Sequence, residues 1–293
     1  MMRMMKILYI IFGPTLLFLI IIPSVSSFTQ WSPKIHTSAV SELHLFGGGG
    51  GSTKIPSSSN ERDSIAITAI KAAISKPKTP NYGLIECEFP PLTALNKLGD
   101  GSLRSAKEVD NANLKFVSTL VSSISPFGLG PKVWILISRS ASSGLERSAK
   151  KSKIGTPYSL RDGEPSVAAK DICVFVSPSA RTDYTLAQEL AEQCKAVVLV
   201  NSFAKDPKSV PARATMAYYL KPLTYNSQVV GHLTRIYPGS WKTIDFVSKK
   251  VLLSKDDSQI LVKGTNTPDL RESGRLVQKS VDERAIKERQ QRR

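Results

Sequence analysis

Four short polar stretches follow apolar runs in this chain and carry the side chains best able to meet a small ligand: Glu88-Phe89-Pro90, Ser138-Arg139-Ser140, Ser177-Pro178-Ser179 and Asn201-Ser202. Hydroxyls, one amide and one guanidinium suit an anionic or sugar-phosphate ligand better than acid–base hydrolysis. The same residue types end strands simply because they make turns, which is the preferred reading of the two. Glu86 and Glu88 stand two apart in an alternating stretch. One strand side would then carry both carboxylates about 7 Å apart, at roughly 3.3 Å per residue. Such a pair can exchange protons or hold a cation; a polar strand face beside abundant lysine is preferred. Asp110, Asn111 and Asn113 read first as helix-start residues and second as a partner-binding group.

Other constellations exclude chemistry. His232 is the one histidine beyond residue 60, since His36 and His44 fall in the leader. With no nucleophile elbow, a Ser-His-acid set has no basis, which counts against most hydrolytic mechanisms. Cys87, Cys173 and Cys194 are odd in number and lack paired spacing. Cys173, inside ICVFV, reads as a small buried hydrophobe. Neither a metal site nor a cofactor is expected. GGGGGSTK, Gly47 to Lys54, lacks the Gly-Lys-Ser/Thr order of a phosphate loop, follows no strand and is succeeded by Pro56, so it reads as a linker.

LTRIYPGSW, Leu233 to Trp241, concentrates the side-chain types enriched at binding hot spots. In its setting, Leu233 to Tyr237 reads as a strand, Pro238-Gly239 as a turn and Trp241 as the start of the returning strand. It is first a structural corner, with Arg235 able to cross-link neighbouring strands through a carboxylate or carbonyl. A partner site on Arg235, Tyr237 and Trp241 is the second reading.

These residues need elements to position them. Glu61 to Lys76 repeats apolar residues at helical spacing and is stopped by Pro77 and Pro80. GLIECEFPP predicts a half-buried strand. VDNANLKFVSTLVSSI predicts a helix starting at Asp110, and KVWILIS a strand. The basic segment Ser140 to Lys153 predicts a helix and loop. DICVFV, the helix Thr182 to Gln193 and AVVLV follow. Strands apolar on both faces and alternating with helices predict a parallel sheet covered on both sides. After Arg213, AYYLKPL, GHLTRIYP, WKTIDFV, KVLLSK and QILVK predict antiparallel strands joined by turns at Pro238-Gly239 and Asp256-Asp257-Ser258. The expected fold is therefore α/β: three layers, a mostly parallel sheet with helices on both faces, finishing in an antiparallel β meander.

The ends of the chain read differently. Arg3 and Lys6 precede an apolar run from Ile7 to Ile22, and Val25-Ser26-Ser27 supply small residues, the layout of a signal peptide cleaved before Phe28. A retained anchor is the alternative, disfavoured by Gly13-Pro14 and Pro23. Residues 28–60 are rich in hydroxyls and hold Glu42 as their one acid, which is the composition of a plastid transit segment. Together these resemble the bipartite presequences of algae with complex plastids, with secretion as the other possibility. The expected division is 1–27 signal peptide, 28–60 transit-like segment and linker, 61–265 one α/β domain and 266–293 a basic tail. From Arg271 that tail sets eight basic residues against four acids with a faint apolar period, and reads as a frayed helix or disordered. The formal net charge is +16, of which residues 1–60 supply +3. A basic mature chain favours an anionic lipid surface or an acidic protein; without a recognisable nucleic-acid module, nucleic acid is not expected.

ECEFPPL at Glu86, DNANLKF at Asp110, VFVSPS at Val174, VVLVN at Val197 and RIYPGSW at Arg235 resemble, in order and spacing, a plastid domain of unknown function. The resemblance covers about Ile65 to Phe246. It extends to photosystem II assembly factors of the Low PSII Accumulation Three type and to a domain fused to a plastid adenylate kinase, whose kinase motifs are absent here. It implies a non-catalytic factor that helps a photosystem II subunit accumulate, and it carries over no catalytic residues. The expected partner is a photosystem II subunit or assembly intermediate, or the anionic thylakoid lipid surface. A stromal enzyme that binds a nucleotide or phosphate metabolite is the rival. Candidate binding residues are Glu88, Asn111, Asn113, Arg139, Ser177, Asn201, Arg235, Tyr237 and Trp241.

Overall fold

The computed structural model describes residues 55–76, 83–90, 106–202, 214–261 and 267–292. The signal, transit-like and glycine-rich readings, along with Pro77, Pro80 and Pro91, lie outside the described residues, except for the last few positions before 61.

Helix α1 (Ser59–Ile74) starts where Ser58 Oγ accepts from Glu61 N at 3.2 Å. The chain then runs through β1 (Leu84–Glu88), α2 (Ala106–Ile124), β2 (Val133–Ile137), α3 (Ser143–Ser152), β3 (Thr156–Ser159), β4 (Ile172–Val176), α4 (Arg181–Gln193) and β5 (Ala196–Val200). Next come β6 (Thr215–Tyr225), β7 (Gln228–Ile236), β8 (Trp241–Asp245), β9 (Val251–Lys255), α5 (Asp257–Leu261) and α6 (Leu270–Gln291). Among the described residues the strands form one nine-stranded sheet in the order β3-β2-β4-β5-β1-β6-β7-β8-β9. Pairings from β3 to β6 are parallel and those from β6 to β9 antiparallel. The expected architecture, a mostly parallel sheet between helices with a terminal meander, is the one observed.

Every residue of β2, β4 and β5 is buried, as a strand covered on both faces requires. On one face α1, α2 and α3 pack Ile70, Val117, Leu120 and Ala149 over Ile85, Ile135, Val174 and Val198. On the other, α4 sets Leu186, Ala187 and Leu190 on Leu136, Phe175 and Leu199. On that same side of the meander, Ile260 of α5 and Val277 of α6 close a third cluster with Tyr219, Leu233 and Trp241.

Three local expectations change. Strand β1 is central, between β5 and β6, and Glu86 is buried rather than on a solvated polar face. Helix α2 begins four residues before Asp110, so Asp110, Asn111 and Asn113 lie inside it, not at its start. Gln259 to Leu261, read as part of a strand, belong to the short helix α5. Asp256 and Gln259 close its first turn, with Asp256 N donating to Gln259 Oε1 at 2.9 Å. The short edge strand β3, which has little apolar content, carried no alternation to announce it. The basic tail from 270 to 291 is helical, and its Ser273 and Val277 are buried against the meander.

Candidate functional site

Strands β2, β4, β5 and β1 are parallel neighbours, so the polar stretches that follow them do converge at one end of the sheet. In open α/β sheets this is the end where ligands bind, at a crevice between strands whose following helices go to opposite faces. Such a crevice lies between β2, which leads to α3, and β4, which leads to α4.

Two hydrogen-bond systems occupy that end. In the first, Phe89 N donates to Asn201 Oδ1 at 2.8 Å, Asn201 Nδ2 to Asn113 Oδ1 at 2.7 Å, and Asn113 Nδ2 to Ser177 Oγ at 2.6 Å. It ties the ends of β1, β5 and β4 to α2, and all three polar side chains are buried. Asn201 and Ser177 each have φ of 50°, the left-handed region that lets the backbone leave the strand and turn the side chain inward. In the second, Ser138 Oγ donates to Asp183 Oδ2 at 2.6 Å, and the same oxygen accepts from Ser179 N at 3.3 Å and Ala180 N at 3.2 Å. Asp183 is the third residue of α4 and is buried. Its carboxylate therefore stands at the amino end of that helix, where the converging N–H groups would otherwise suit a phosphate. Ser140 Oγ and Ser179 Oγ lie 2.6 Å apart at the exposed rim.

The remaining candidates scatter. Arg139 donates through Nε to Leu160 O at 3.0 Å and lines a groove of about 220 Å³ that also carries Asp183, Glu164 and Glu189. An anion there would meet carboxylates. Glu88 is half-buried at the β1 end; burial raises its carboxyl, against the opposing pull of Lys221. Asn111 is exposed on α2.

Arg235, Tyr237 and Trp241 are together, but turned inward. Arg235 is 2% exposed and Trp241 1%. Arg235 Nε donates to Met216 O at 2.8 Å and its Nη2 to Asp257 Oδ2 at 2.6 Å, while Trp241 Nε1 donates to Asp257 Oδ1 at 3.1 Å. The corner expected from LTRIYPGSW is thus built on a carbonyl and a carboxylate, with Asp257 clamping β7 and β8 to the start of α5. Burial lowers the Arg235 guanidinium and Asp257 opposes the shift. Tyr237 is buried in the core under α1.

Sequence reading missed Asp183, although Asp three residues after Ala180 in SARTD is the spacing of a capping box. It also missed a surface at the other end of the sheet. Lys153, Lys132, Lys170 and Lys195 immediately precede or closely approach β3, β2, β4 and β5, four consecutive strands, and all four are exposed. They share a depression of about 900 Å³ with Phe127, on the loop between α2 and β2. The signal was legible in KVWILI, KDICVFV and KAVVLV, each a lysine at the threshold of an apolar run. Among the described residues no group of His, Cys, Asp and Glu could hold a metal ion, and no helix is long and apolar enough to cross a membrane. The three cysteines are buried free thiols.

Fold and sites define a three-layer α/β protein whose parallel sheet is closed by its own side chains at one end and lined by lysines at the other. Residues 56–272 match the family described as Domain of unknown function (DUF1995), and the chain belongs to it. No curated protein and no solved structure matches the chain.

Proposed function

We propose that this is a plastid protein that acts by binding rather than by catalysis, an auxiliary or assembly factor for photosystem II or another thylakoid complex. Its place is the stroma or the thylakoid periphery of an alga with complex plastids. The resemblance to Low PSII Accumulation Three-type factors, the presequence-like leader and the net charge of +16 support the reading. The observation that carries it is the contrast between the two ends of the sheet. The carboxyl end, where an enzyme of this topology would hold its ligand, is filled by Asp183 and by the Asn201–Asn113–Ser177 chain. At the amino end a row of cationic side chains faces solvent. A nucleotide or phosphate metabolite at the carboxyl end would have to displace a buried carboxylate already holding two backbone N–H groups, which weakens the enzymatic rival.

Plastid fractionation tests the proposal. The protein is expected to sediment partly with thylakoids, to be released by high salt, and to co-purify with photosystem II assembly intermediates. A wholly stromal protein, indifferent to salt and never found with those intermediates, would sink it. Stabilisation by a nucleotide in a thermal-shift screen would favour the enzyme instead.

A further inference from the structure

The loop Pro126 to Gly130 presents Phe127 with 99% and Leu129 with 89% of their surface exposed, while the other large apolar side chains among the described residues are mostly buried. Phe127 has φ of 55° and ψ of 19°, a backbone state unfavourable for a bulky residue, and the ring gains no packing from it. Gly130 holds the loop close to α2, because a Cβ there would stand 2.8 Å from Ile124 O. The turn thus projects an aromatic and an aliphatic side chain away from the body of the protein.

Around its base stand Lys132, Lys153, Lys170 and Lys195. Neighbouring strands lie about 4.8 Å apart, so four successive strand starts place these ammonium groups along roughly 14 Å. Among the described residues that line the depression there is no carboxylate. The neighbouring Asp171 is buried and already engaged: its Oδ2 accepts from Trp134 Nε1 at 2.9 Å and from Ala168 N at 3.0 Å. Burial raises its carboxyl, but these bonds, with Lys132 and Lys170 near enough to help, hold it below the usual range. Lys132 Nζ lies over the Trp134 ring, 3.6 Å from its centroid, which keeps this part of the row in place.

From this arrangement we infer that the amino end of the sheet is a membrane-docking face, in which Phe127 and Leu129 enter the interface of an anionic lipid bilayer and the four lysines lie against its headgroups. An acidic protein fits less well. Protein interfaces of specific kind need a broad, contiguous contact of about 1,000 Å² or more with an apolar centre, whereas here the apolar part is two isolated tips and the surround is lysine. A fluid bilayer accepts such tips without a preformed cavity, and each lysine near an anionic surface adds to the attraction, about fivefold in affinity. The inference rests on the binding reading above and names the surface through which it would operate.

The test uses the full chain with vesicles of phosphatidylcholine, alone or with phosphatidylglycerol. Wild type is expected to sediment with the anionic vesicles and to be released by salt. Phe127→Ser with Leu129→Ser should lower partitioning at least tenfold, and Lys170→Glu with Lys195→Glu by more, while thermal unfolding stays unchanged because all four side chains are exposed. The three native cysteines are buried, so Phe127→Cys can be labelled singly with an environment-sensitive dye that reports the loop itself, whatever the apolar amino-terminal stretch does. Its emission should shift to the blue on anionic vesicles and be quenched by shallow lipid nitroxides. Unchanged emission, or variants that partition like wild type, overturns the inference. So does loss of capture by photosystem II intermediates in Phe127→Ser with Leu129→Ser when no vesicle binding exists to lose, since the face would then meet protein. Loop-dependent vesicle binding without any photosystem partner would instead spare this inference and remove the assembly role.

Discussion

Asn201 shows how one side chain can settle the meaning of a strand end. Its amide joins Phe89 N to Asn113, and through Asn113 to Ser177, in a buried chain. Leaving a buried polar group without a partner costs about 1–3 kcal/mol. Asn113→Ala is therefore expected to lower unfolding free energy in urea by about 2–3 kcal/mol, since it strands groups on both sides. Asn201→Gly and Asn201→Ala both lose the amide, but alanine must also occupy φ near 50°, a conformation worth roughly 1 kcal/mol less to it than to glycine. The glycine variant should be the more stable by that margin; equal stabilities would mean the left-handed backbone is not retained. His232 gives a second measurement. Its imidazole is buried, and its Nδ1 has no hydrogen-bond partner among the described residues. Burial, then Lys249, lowers its pKa to about 4. Below the ordinary value near 6.5 the unfolded chain takes up a proton here and the folded chain does not. The contribution of the neutral ring is thus complete above about pH 6.5 and is lost as pH falls toward 4, with a slope of about 1.4 kcal/mol per pH unit. His232→Gln should flatten that part of the profile.

Broad apolar faces hold the parallel half together, whereas α6 is held to the meander through a close approach, where it crosses β7. A Cβ on Gly231 would meet Val277 Cγ2 at 2.7 Å and Ile244 O at 2.8 Å. Gly231→Ala should cost about 1–3 kcal/mol through overpacking, and adding Val277→Ala should recover only part, because the backbone oxygen remains. The loss can be followed as a fall in helical signal that precedes loss of the sheet. The same junction explains why the apolar period of the tail is faint: Val277 and Ser273 are buried, yet much of the rest of the 22-residue helix is polar and exposed, and a single apolar anchor leaves little period to read. Parallel strands were legible because burial on both faces turns KVWILI, DICVFV and AVVLV into unbroken apolar runs. Strand β1 misled because Glu86 breaks that rule in the centre of the sheet. At the candidate site, sequence placed Ser138, Ser177 and Asn201 at one end of the sheet. It could not show that they would bond to Asn113 and Asp183, since those contacts join helices to strands 45 to 88 residues away. Arg235 was legible as a cross-link but its acceptor was not, because Asp257 sits in a helix that read as a turn followed by a strand. Arg235→Ala should remove about 2–3 kcal/mol by breaking its charged hydrogen bonds, and near-native stability would return Arg235, Tyr237 and Trp241 to consideration as a partner site.

At the scale of the whole molecule, the parallel half is sealed by helices on both faces, while the meander depends on its own later segments. Tyr219, Leu233 and Trp241 are buried under Ile260 and Val277, and Asp245 is tied to α6 by Arg284 Nη1 at 2.5 Å. The family match ends at residue 272, just inside α6, so the region shared with the family is not the whole of the packed body. A chain ending at Asp269 should leave that third cluster open to water, at about 25 cal/mol for each Å² of apolar surface uncovered. Its expected behaviour is a lower melting temperature, binding of a hydrophobic dye, and self-association through the uncovered meander face. Circular dichroism should still report the parallel sheet and helices α1 to α4, because their cores do not include α6. Phe127→Ser with Leu129→Ser should show the opposite pattern, unchanged folding with altered surface behaviour. Should the truncated chain melt at the full-length temperature without dye binding, α6 would be an appendage, and the meander would have to be stabilised by segments outside the third cluster.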